Sequence, residues 1–476
     1  MVKPIKFGTD GWRAIIAQEF TFDNVEIVTK AIIGYIKGAY DPSKPVIIGY
    51  DTRFLADKFA KHSAEILNNH GINVLVTKED APTPVVAFSA KNLCSAGALM
   101  FTASHNPPEY CGIKYIPDYA GPATPDITDV IVENVRKIQN GDESFLHSAS
   151  IKGKTEFFNP EKAYFDWVKK LVDLPKIKNA GLKIFYDPLY STGRRYFDGL
   201  LEEAGCEVTV IHNHVDPLYG GGMPEPREKF LGELINLVKE NPPSLGFSTD
   251  GDADRFGVID EKGRYITHNE VIAILFRHLI KNRRRSGSVV KTVATSQMID
   301  KIAEKYGIKV HETAVGFKYI GQIMRNEEVI IGGEESGGLS IWGHIPEKDG
   351  VVANLSILEA VAYENKPLYE IVDDMNREIG ANFINYRLDL RLKEETKLAA
   401  MDMFNNNSPS EVAGLKVSSV NKLDGVKFYL EDNNSWILVR PSGTEPLLRI
   451  YFETDSNSKL DALVNDIKSL VEKLNS

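Results

Sequence analysis

The most informative stretch of this chain reads LGFSTDGDADRFGVI, over residues 245–259. Its two ends, 245–247 and 256–259, are apolar and have the composition of β-strands. Between them stand carboxylates at alternate positions, followed by an arginine: Asp250, Asp252, Asp254 and Arg255. Alternate residues of an extended backbone point to the same side. We therefore expect the three carboxylates to converge at the end of a strand.

Converging carboxylates favour a divalent metal ion, because three like charges repel one another unless a cation lies between them. Six or more oxygen ligands would suit Ca²⁺, whereas three carboxylates with a phosphate oxygen in near-octahedral geometry would suit Mg²⁺. Arg255 directly follows the third aspartate, which indicates that an anion also approaches this site.

A calcium-binding EF-hand loop is the main alternative, because its positions 1, 3, 5 and 12 are matched by Asp250, Asp252, Asp254 and Glu261. That loop needs glycine at position 6, where this chain has Arg255, and it needs helices rather than strands on either side. An acidic solvated turn is a further alternative, but it would need neither the arginine nor the apolar strands. The pattern therefore favours a metal site at a strand end.

The length and composition indicate a multidomain globular protein. The chain has 476 residues, of which 43% are apolar and 26% charged, and a single hydrophobic core seldom extends to this size. About three domains are expected from the length alone. The formal net charge of −10 argues against nonspecific nucleic-acid binding, so local clusters of arginine and lysine must hold any anionic ligand.

Cysteine usage and hydropathy predict a cytoplasmic protein that does not span a membrane. The cysteines are odd in number and form no CxxC pair, which favours a reducing compartment: Cys94, Cys111 and Cys206. The first residues, MVKPIKFG, contain no apolar signal-peptide stretch. No window approaches the run of about 18 apolar residues that crosses a bilayer.

A weak internal repeat predicts three related α/β domains. In each copy an apolar strand leads through a helix to a glycine and a second strand. The copies comprise 45–51, Gly71 and 72–76; 182–187, Gly205 and 207–211; and 288–296, Gly307 and 308–311. Strands that alternate with helices in this way are typical of parallel βαβ units with right-handed crossovers.

The last ~90 residues have a different pattern. Strands are expected near 427–430, 436–439 and 448–452, and an amphipathic helix is expected from about 459 to 474. The polar segment 391–407 is helix-prone and ends in a turn. A smaller α+β domain fits this pattern.

A serine beside a histidine follows another strand-like run, 98–101. The segment reads FTASHNPPEYCGIK over residues 101–114. Ser104, beside His105 and ahead of paired prolines, is held in a rigid loop where its hydroxyl could act as a nucleophile or carry a phosphate. A hydrogen-bonded turn is the alternative, and the pair alone does not decide between the two.

Further glycine-containing segments suit a phosphorylated sugar. RPSGTEP at 440–446 offers hydroxyls, backbone N–H groups and an arginine to phosphate oxygens, with Arg449 just beyond. GTDGWR at 8–13 ends in Arg13, which could face an anion. GGEESGG at 332–338 presents carboxylates and a hydroxyl to sugar hydroxyls, between glycines that allow close approach. A hairpin turn, a glycine turn and a flexible acidic surface loop are the respective alternatives.

Together these segments resemble the α-D-phosphohexomutase superfamily over nearly the whole chain. The motifs TASHNP, DGDADR, GEESGG and RPSGTEP occur in the family's order. The resemblance implies an α/β fold with three related domains of βαβ-type mixed sheets and a smaller C-terminal α+β domain, arranged around a central cleft. We place the domains at residues 1–150, 151–257, 258–380 and 381–476.

The resemblance also implies roles for individual residues. Ser104 is similar to the family's phosphoserine, and its phosphate would join the three aspartates in binding Mg²⁺. Lys114 resembles a proton-transferring lysine. Arg13, His105 and Arg255 resemble supporting active-site groups. The implied substrate-binding residues are Glu334 and Ser336 for the sugar hydroxyls, Arg440, Ser442, Gly443 and Thr444 for the distal phosphate, and also Lys318 and Arg449.

The implied activity is the reversible interconversion of hexose 1-phosphate and hexose 6-phosphate, with a hexose 1,6-bisphosphate as intermediate and activator. Glucose phosphates are the expected substrates. A phosphomannomutase and a phosphoglucosamine mutase are the alternatives, and a non-catalytic sugar-phosphate binding protein is the alternative from another class. Neither nucleic acid nor a membrane is an expected partner, and the sequence leaves open the preferred hexose, the oligomeric state and the extent of domain motion.

Details within the superfamily favour glucose phosphates. TAVGFK at 313–318 is closer to the Gly-aromatic-Lys of phosphoglucomutases than to the Gly-His of the dual phosphomannomutase/phosphoglucomutase branch, and HIPEKDG at 344–350 is also similar to phosphoglucomutases. Glu335 departs from the Gln that is usual in glucosamine-type mutases. Cys111 stands where many relatives have Asn, which leaves the local hydrogen bonding at that position open.

Overall fold

The computed structural model describes residues 5–8, 11–146, 151–442 and 447–474. Within these residues the strands form four sheets that follow one another along the chain. No helix in this described part is both long enough and apolar enough to cross a membrane.

The first sheet and its helices are built from β1 (Trp12–Ile15), α1 (Phe22–Ala39), β2 (Val46–Tyr50), α2 (Ala56–Asn69), β3 (Val74–Thr77), α3 (Thr83–Asn92), β4 (Ala98–Phe101), β5 (Tyr110–Ile116), α4 (Pro125–Gln139) and β6 (Thr155–Phe158). The strand order is β1-β5-β4-β2-β3-β6. Strand β2 runs parallel to β3 and β4, whereas β5 is antiparallel to β4 and β1.

The second sheet and its helices comprise α5 (Glu161–Leu171), α6 (Leu174–Asn179), β7 (Ile184–Asp187), α7 (Phe197–Glu203), β8 (Val208–Val210), α8 (Gly232–Glu240), β9 (Leu245–Thr249), β10 (Phe256–Ile259) and β11 (Tyr265–Ile266), with short 3₁₀ helices at Tyr219–Gly221 and Glu228–Phe230. The strand order is β11-β10-β9-β7-β8.

The third sheet and its helices comprise α9 (His268–Lys281), β12 (Ser288–Thr292), α10 (Met298–Tyr306), β13 (Val310–Thr313), α11 (Phe317–Asn326), β14 (Val329–Glu334), β15 (Gly338–Ile341), α12 (Gly350–Glu364) and α13 (Leu368–Ile379). The strand order is β13-β12-β14-β15.

The fourth sheet is antiparallel, in the order β16-β21-β20-β19-β18-β17. Its elements are β16 (Ile384–Arg391), α14 (Glu394–Asn406), β17 (Glu411–Val412), β18 (Leu415–Asn421), β19 (Val426–Leu430), β20 (Trp436–Pro441), β21 (Leu447–Thr454) and α15 (Asn457–Glu472). The α+β character predicted for this region is confirmed.

The predicted threefold repeat is confirmed by the strand pairing. In each of the first three sheets one strand (β2, β7 or β12) is parallel to the next two strands on its two sides, and the following strand is antiparallel. Parallel neighbours need a long crossover, which the helices α2, α7 and α10 supply. In each of these sheets the carboxyl end of the central strand (β2, β7 or β12) therefore lies at the same edge as the carboxyl ends of its two parallel neighbours.

The sheet pattern differs from the predicted boundaries at two points. Strand β6 lies beyond residue 150, yet it pairs with β3 of the first sheet. Strand β10 spans the predicted boundary after residue 257, and both β10 and β11 belong to the second sheet. Strand β6 is a short edge strand with an exposed Phe157, so its composition gives little sign of sheet membership.

Helix α12 connects the core to the loop that carries the three aspartates. Its residues from Gly350 to Ala362 are buried and apolar on nearly every face, as expected for a helix enclosed by other elements. Asp349 caps the helix, because its carboxylate accepts a hydrogen bond from the amide of Val352 at 2.9 Å. A Cβ atom at Gly350 would lie 2.2 Å from the carbonyl oxygen of Arg255, so only glycine permits this approach.

Candidate active site

The three aspartates lie together in the loop between β9 and β10. One carboxylate oxygen from each aspartate lies within 4.8 Å of those from the other two, and all three residues are buried. The predicted convergence is therefore present, but the route to it is different. Residues 250–255 form turns rather than an extended strand, and Ala253 has φ +54°. A tight reversal, not strand alternation, brings the carboxylates together.

Lysines from two other domains contact this triad, the cluster Asp250, Asp252 and Asp254. Lys114 on β5 lies 2.8 Å from Asp252 and 3.6 Å from Asp254. Lys348, just before α12, lies 2.8 Å from Asp254. Three domains thus contribute charge to one small volume.

The pKa shifts show how strongly charge is concentrated in the triad. Burial, with the charges of the two neighbouring aspartates, raises the pKa of Asp250 well above its usual value. Burial is also the largest single influence on Asp252, but Lys114, the Thr83 hydrogen bond and Lys348 together outweigh it and hold the pKa of Asp252 well below its usual value. Carboxylates in this arrangement favour the approach of a further cation.

Buried carboxylate oxygens without hydrogen-bond partners make the triad suitable for a metal ion. Among the described residues, Oδ1 of Asp252 and Oδ1 of Asp254 are buried and have no hydrogen-bond partner. Buried polar atoms are nearly always paired, and carboxylate oxygens are the ligands that Mg²⁺ prefers. The donor set therefore fits a hard divalent cation.

Ser104 contacts the triad from the first domain. It lies in the serine loop, residues 102–110, which follows β4, and it is 1% exposed. Its hydroxyl donates to Oδ2 of Asp250 at 2.8 Å. Ser104 also adopts φ +52°, a left-handed conformation that is uncommon for residues other than glycine. Ser104 follows strand β4, as predicted, and its hydroxyl points to the predicted metal site.

His105 and Arg13 flank the serine. Nδ1 of His105 lies 3.3 Å from the Ser104 hydroxyl. The positive charge of Arg255, together with burial and the charge of Arg13, holds the pKa of His105 well below its usual value, so the imidazole is neutral at neutral pH. Arg13 on β1 donates to Oδ1 of Asn106 in the serine loop at 2.8 Å.

Three residues that the sequence did not single out also hold the site together: Thr83, Arg53 and Lys348. Thr83, the first residue of α3, donates its hydroxyl to Asp252 at 2.6 Å and its amide to the carbonyl of the same residue at 2.9 Å. Lys348 lies within HIPEKDG, a segment whose sequence served only to compare subfamilies. A lysine inside a segment so similar to phosphoglucomutases was the one signal that could have identified it.

The GGEESGG segment forms the tight turn between β14 and β15. Glu334 ends β14 and is buried, and the Ser336 hydroxyl donates to its Oε1 at 2.7 Å. Burial raises the pKa of Glu334 to about 7, although the nearby Lys348 ammonium acts in the opposite direction. The alternative of a flexible surface loop is therefore wrong.

Lys348 connects this turn to the triad. A Cβ atom at Gly338 would lie 2.3 Å from Cδ of Lys348 and 3.1 Å from Oε1 of Glu334, so the lysine stem runs beside the glutamate while its ammonium reaches Asp254. The predicted sugar-reading and metal-binding residues therefore meet through one side chain.

A cavity of about 530 Å³ opens beside the turn, where the second, third and fourth domains meet. Its walls include Arg227, His268, Glu335, Ser336, Arg387 and Tyr451. Glu335 is fixed by a hydrogen bond from the Thr292 hydroxyl at 2.8 Å. Ser336 faces this cavity, which is large enough for a ligand the size of a sugar phosphate.

Arg440 on β20 is oriented by an aspartate that also contacts the third domain. Its Nη2 donates to Oδ2 of Asp424 at 2.7 Å, and the same oxygen accepts the amide of Val315 at 2.8 Å. Arg449 on β21 stands opposite Arg440 in the antiparallel register. Asp424 thus joins Arg440 to the TAVGFK segment, 313–318.

The remaining predicted residues have mixed outcomes. Ser442 is buried, and its amide donates to the carbonyl of Leu447 at 2.9 Å. Gly443 and Thr444 lie outside the described residues, as do Thr9 and Asp10 of the amino-terminal turn. Lys318 lies at the start of α11 with its ammonium 4.8 Å from the centre of the Tyr319 ring. No described contact joins it to the triad.

The EF-hand alternative is wrong. Both carboxylate oxygens of Glu261 accept the amide of Leu368 at 2.9 Å, and strands rather than helices flank the triad. Cys111 is a buried residue of β5 whose thiol contacts only the neighbouring backbone among the described hydrogen bonds. All three cysteines are free thiols.

Four family models match the chain in order. They are the phosphoglucomutase/phosphomannomutase alpha/beta/alpha domains I, II and III at residues 4–142, 162–263 and 267–378, and the C-terminal domain of the same family at residues 390–470. The match to domain II includes β10, in agreement with its place in the second sheet.

Curated relatives match over most of their length. A phosphoglucomutase/phosphomannomutase of Thermococcus kodakarensis is 29% identical over 469 residues, which cover 98% of this chain and 99% of the relative. A phosphoglucosamine mutase of Methanococcus vannielii is 31% identical over 435 residues, which cover 90% of this chain and 92% of the relative.

Among solved structures, a Thermus thermophilus protein with a provisional assignment as a phosphomannomutase superposes with a TM-score of 0.86 at 33% identity. The match covers 99% of this chain and 100% of that one. These relatives bear the names of different sugars, so similarity alone does not identify the hexose.

Proposed function

This chain belongs to the phosphoglucomutase/phosphomannomutase family and is a phosphohexomutase, an intramolecular phosphotransferase, and we propose that it interconverts glucose 1-phosphate and glucose 6-phosphate through phosphorylated Ser104. The observation that carries this proposal is the 2.8 Å hydrogen bond between the Ser104 hydroxyl and Asp250. A phosphoryl group on that hydroxyl would enter the triad.

The triad is proposed to bind Mg²⁺ together with an oxygen of the Ser104 phosphate. Asp250, Asp252 and Asp254 would supply the carboxylate ligands. When bound, the ion would neutralise charge on the phosphoryl group during transfer, which is the main requirement of this chemistry. Lys114 and Lys348 already partly neutralise the triad.

The first transfer moves the phosphoryl group from Ser104 to a free hydroxyl of the sugar phosphate. The bond from phosphorus to Oγ of Ser104 breaks, and a bond from phosphorus to the sugar oxygen forms. The proton of that hydroxyl passes to a base, and an equivalent proton returns to Oγ. The imidazole of His105 lies 3.3 Å from Oγ, but the charges of Arg255 and Arg13 disfavour its protonated form, so it would hold this proton only in passing.

Lys114 supports the transfer through its charge. Burial acts to lower the pKa of Lys114, but Asp252 and Asp254 outweigh burial and raise it. The lysine therefore stays an ammonium, which can donate a proton or a hydrogen bond to a departing oxygen but does not act as a base at neutral pH.

The second transfer requires the hexose 1,6-bisphosphate to turn over within the protein, so that its other phosphate returns to Ser104. Arg440 and Arg449, with Ser442, Gly443, Thr444 and Lys318, are proposed to hold the phosphate that is not being transferred. Glu334 and Ser336 would accept and donate hydrogen bonds to sugar hydroxyls. Because these groups read the sugar in either orientation, one set of contacts serves both transfers.

Glucose is the proposed hexose because TAVGFK and HIPEKDG are similar to the corresponding segments of phosphoglucomutases. HIPEKDG supplies Lys348, which lies beside Glu334 and contacts Asp254. Mannose and glucosamine phosphates are the alternatives that the names of the relatives support.

Two measurements test the proposal. Intact mass after incubation with glucose 1,6-bisphosphate should show one added phosphate, located at Ser104 by peptide mapping, and a panel of glucose, mannose and glucosamine 1-phosphates with Mg²⁺ should give the highest kcat/KM for glucose. Ser104→Ala should lose turnover and the added phosphate while keeping the fold.

Ser89→Ala is the matched control, because Ser89 is a buried serine of the same domain whose hydroxyl donates to the carbonyl of Val85. It should retain turnover. Turnover by Ser104→Ala would refute the phosphoserine, a higher kcat/KM for another hexose would refute the glucose assignment, and phosphate binding without turnover of any hexose would support a non-catalytic binding protein.

A further inference from the structure

The guanidinium of Arg53 is enclosed by the backbone of the serine loop. No part of this side chain is exposed. Its two terminal nitrogens donate to four carbonyl oxygens of one loop: Ser104 at 2.6 Å, Asn106 at 2.7 Å, Pro107 at 2.7 Å and Tyr110 at 2.9 Å. One side chain therefore organises the backbone of the loop from Ser104 to Tyr110.

The sheet brings Arg53 to this position. Strands β2 and β4 are parallel neighbours, so the turn after β2 lies against the loop after β4, and the amide of Asp51 donates to the carbonyl of Phe101 at 3.0 Å. Asp51 in turn accepts the amide of Arg53 at 3.0 Å and pairs with its Nε at 3.2 Å. The guanidinium also lies 5.3 Å from the centre of the Tyr219 ring of the second domain.

Arginine has the geometry that this arrangement demands. Buried carbonyl oxygens destabilise a fold when they lack donors. A guanidinium presents five N–H donors in a rigid planar fork, whereas a lysine ammonium presents three donors around one atom. A lysine would keep the positive charge, but its single nitrogen could not donate to the four carbonyl oxygens that the two terminal nitrogens of Arg53 contact.

The contact with the carbonyl of Ser104 fixes the serine itself. Ser104 has φ +52°, and a non-glycine residue stays in this region only where its surroundings hold it there. The same carbonyl oxygen lies 2.4 Å from the position of a Cβ atom at Gly251, in the middle of the triad loop. The serine loop is thus held by Arg53 on one side and fits closely against the triad on the other.

We propose that Arg53 is a positioning residue for phosphoryl transfer, one that holds the hydroxyl of Ser104 in line with the transferred group in both directions. The proposal rests on the proposed role of Ser104 as the phosphate carrier. Arg53 acts through the loop backbone and is not itself expected to touch the sugar phosphate. Its loss should therefore slow the transfer and leave substrate affinity nearly unchanged.

The test compares Arg53→Lys and Arg53→Ala with Arg277→Lys. Arg277 is a matched control, because it is a buried arginine of α9 that pairs with Glu378 at 2.7 Å and Glu364 at 3.1 Å, outside the proposed site. For each protein we would measure kcat and KM for glucose 1-phosphate, the melting temperature, and the single-turnover rate of phosphate transfer from glucose 1,6-bisphosphate to Ser104.

Arg53→Lys is expected to lower kcat and the single-turnover rate by about 10²-fold, the effect of a displacement of roughly 1 Å at a reacting group. Its KM should change by less than about threefold, because Arg53 is not expected to touch the sugar phosphate. A factor of three corresponds to only about 0.7 kcal/mol of binding free energy. Arg277→Lys should lower the melting temperature with kcat unchanged. Guanidinium ions at non-denaturing concentration should partly restore Arg53→Ala, whereas methylammonium ions should not.

Several results would overturn the positioning role: a kcat of Arg53→Lys within about threefold of the parent, a loss confined to KM, an equal kcat loss in Arg277→Lys, or equal rescue by both cations. If Arg53→Ala does not fold, the kinetics of Arg53→Lys decide. Failure of the parent protein to phosphorylate Ser104 would instead refute the proposed function, so the two failures are distinguishable.

Discussion

Gly251→Ala tests the contact between the triad loop and the serine loop. Gly251 lies between Asp250 and Asp252, and a Cβ atom there would meet the carbonyl oxygen of Ser104 at 2.4 Å. Ordinary van der Waals contacts of a Cβ atom begin at about 3.4 Å. The obstructing atom is backbone that Arg53 holds at 2.6 Å, so it cannot rotate away as a side chain would.

The expected loss of kcat follows from the difference between the 2.4 Å contact and an ordinary contact of about 3.4 Å. The two loops must separate by roughly 1 Å, a misplacement that costs about 10²-fold in rate, equivalent to about 2.7 kcal/mol in the transition state. Overpacking of this kind also destabilises a fold by about 1–3 kcal/mol. We therefore expect a kcat loss of about 10²-fold in a protein that is less stable but still folded.

The assay is steady-state turnover of glucose 1-phosphate at saturating Mg²⁺, with a melting curve for each protein. Gly38→Ala is the control, because Gly38 lies at the exposed end of α1 and has no atom within 4 Å of the added Cβ position. It should keep the parent kcat and gain up to about 1 kcal/mol of stability. A kcat for Gly251→Ala within about threefold of the parent would refute the close contact between the loops.

Three further predictions concern other parts of the site. Asp252→Asn should raise the Mg²⁺ concentration for half-maximal activity, because it removes one of three converging charges; an unchanged metal titration would contradict the triad as ligands. Since burial raises the pKa of Glu334 to about 7 and only its carboxylate form can accept two sugar hydroxyls, kcat/KM should rise with pH through about 7. Glu334→Gln should abolish that rise and alter hexose preference, whereas equal losses for every hexose would argue against sugar reading. Arg440→Ala should weaken substrate binding by about 1.5–3 kcal/mol, or roughly ten- to a hundredfold, and release free hexose 1,6-bisphosphate during turnover; if neither changes, the distal phosphate lies elsewhere.

Much of the fold could be predicted because the repeat is written locally. Each copy has an apolar strand, a helix and a glycine within about 30 residues, and such a unit forms parallel strands wherever it occurs. The glycine at the end of α10 shows the principle: Gly307 adopts φ +65° and ends the helix, as glycine does at helix ends. Edge strands such as β6 escaped prediction because one exposed strand carries little apolar signal.

The candidate site was predictable in its chemistry and only partly in its geometry. Three aspartates and an arginine within six residues predict a metal and an anion, whatever the backbone does. The backbone around Ala253 forms a turn rather than the expected strand. Asp250-Gly251 is a dipeptide typical of turns, but nothing signals the positive φ of Ala253, because alanine seldom adopts it.

By itself, the sequence determined which residue types the protein brings to its site, because each motif is a short run whose chemistry does not depend on distant neighbours. Only the tertiary structure decided which of them touch. Thr83 contacts Asp252 across 169 residues and Lys114 contacts it across 138, and Arg53 reaches the carbonyl of Ser104 across 51. Such contacts depend on how sheets align their strand ends and how domains pack, and those are properties of the whole buried core rather than of any segment.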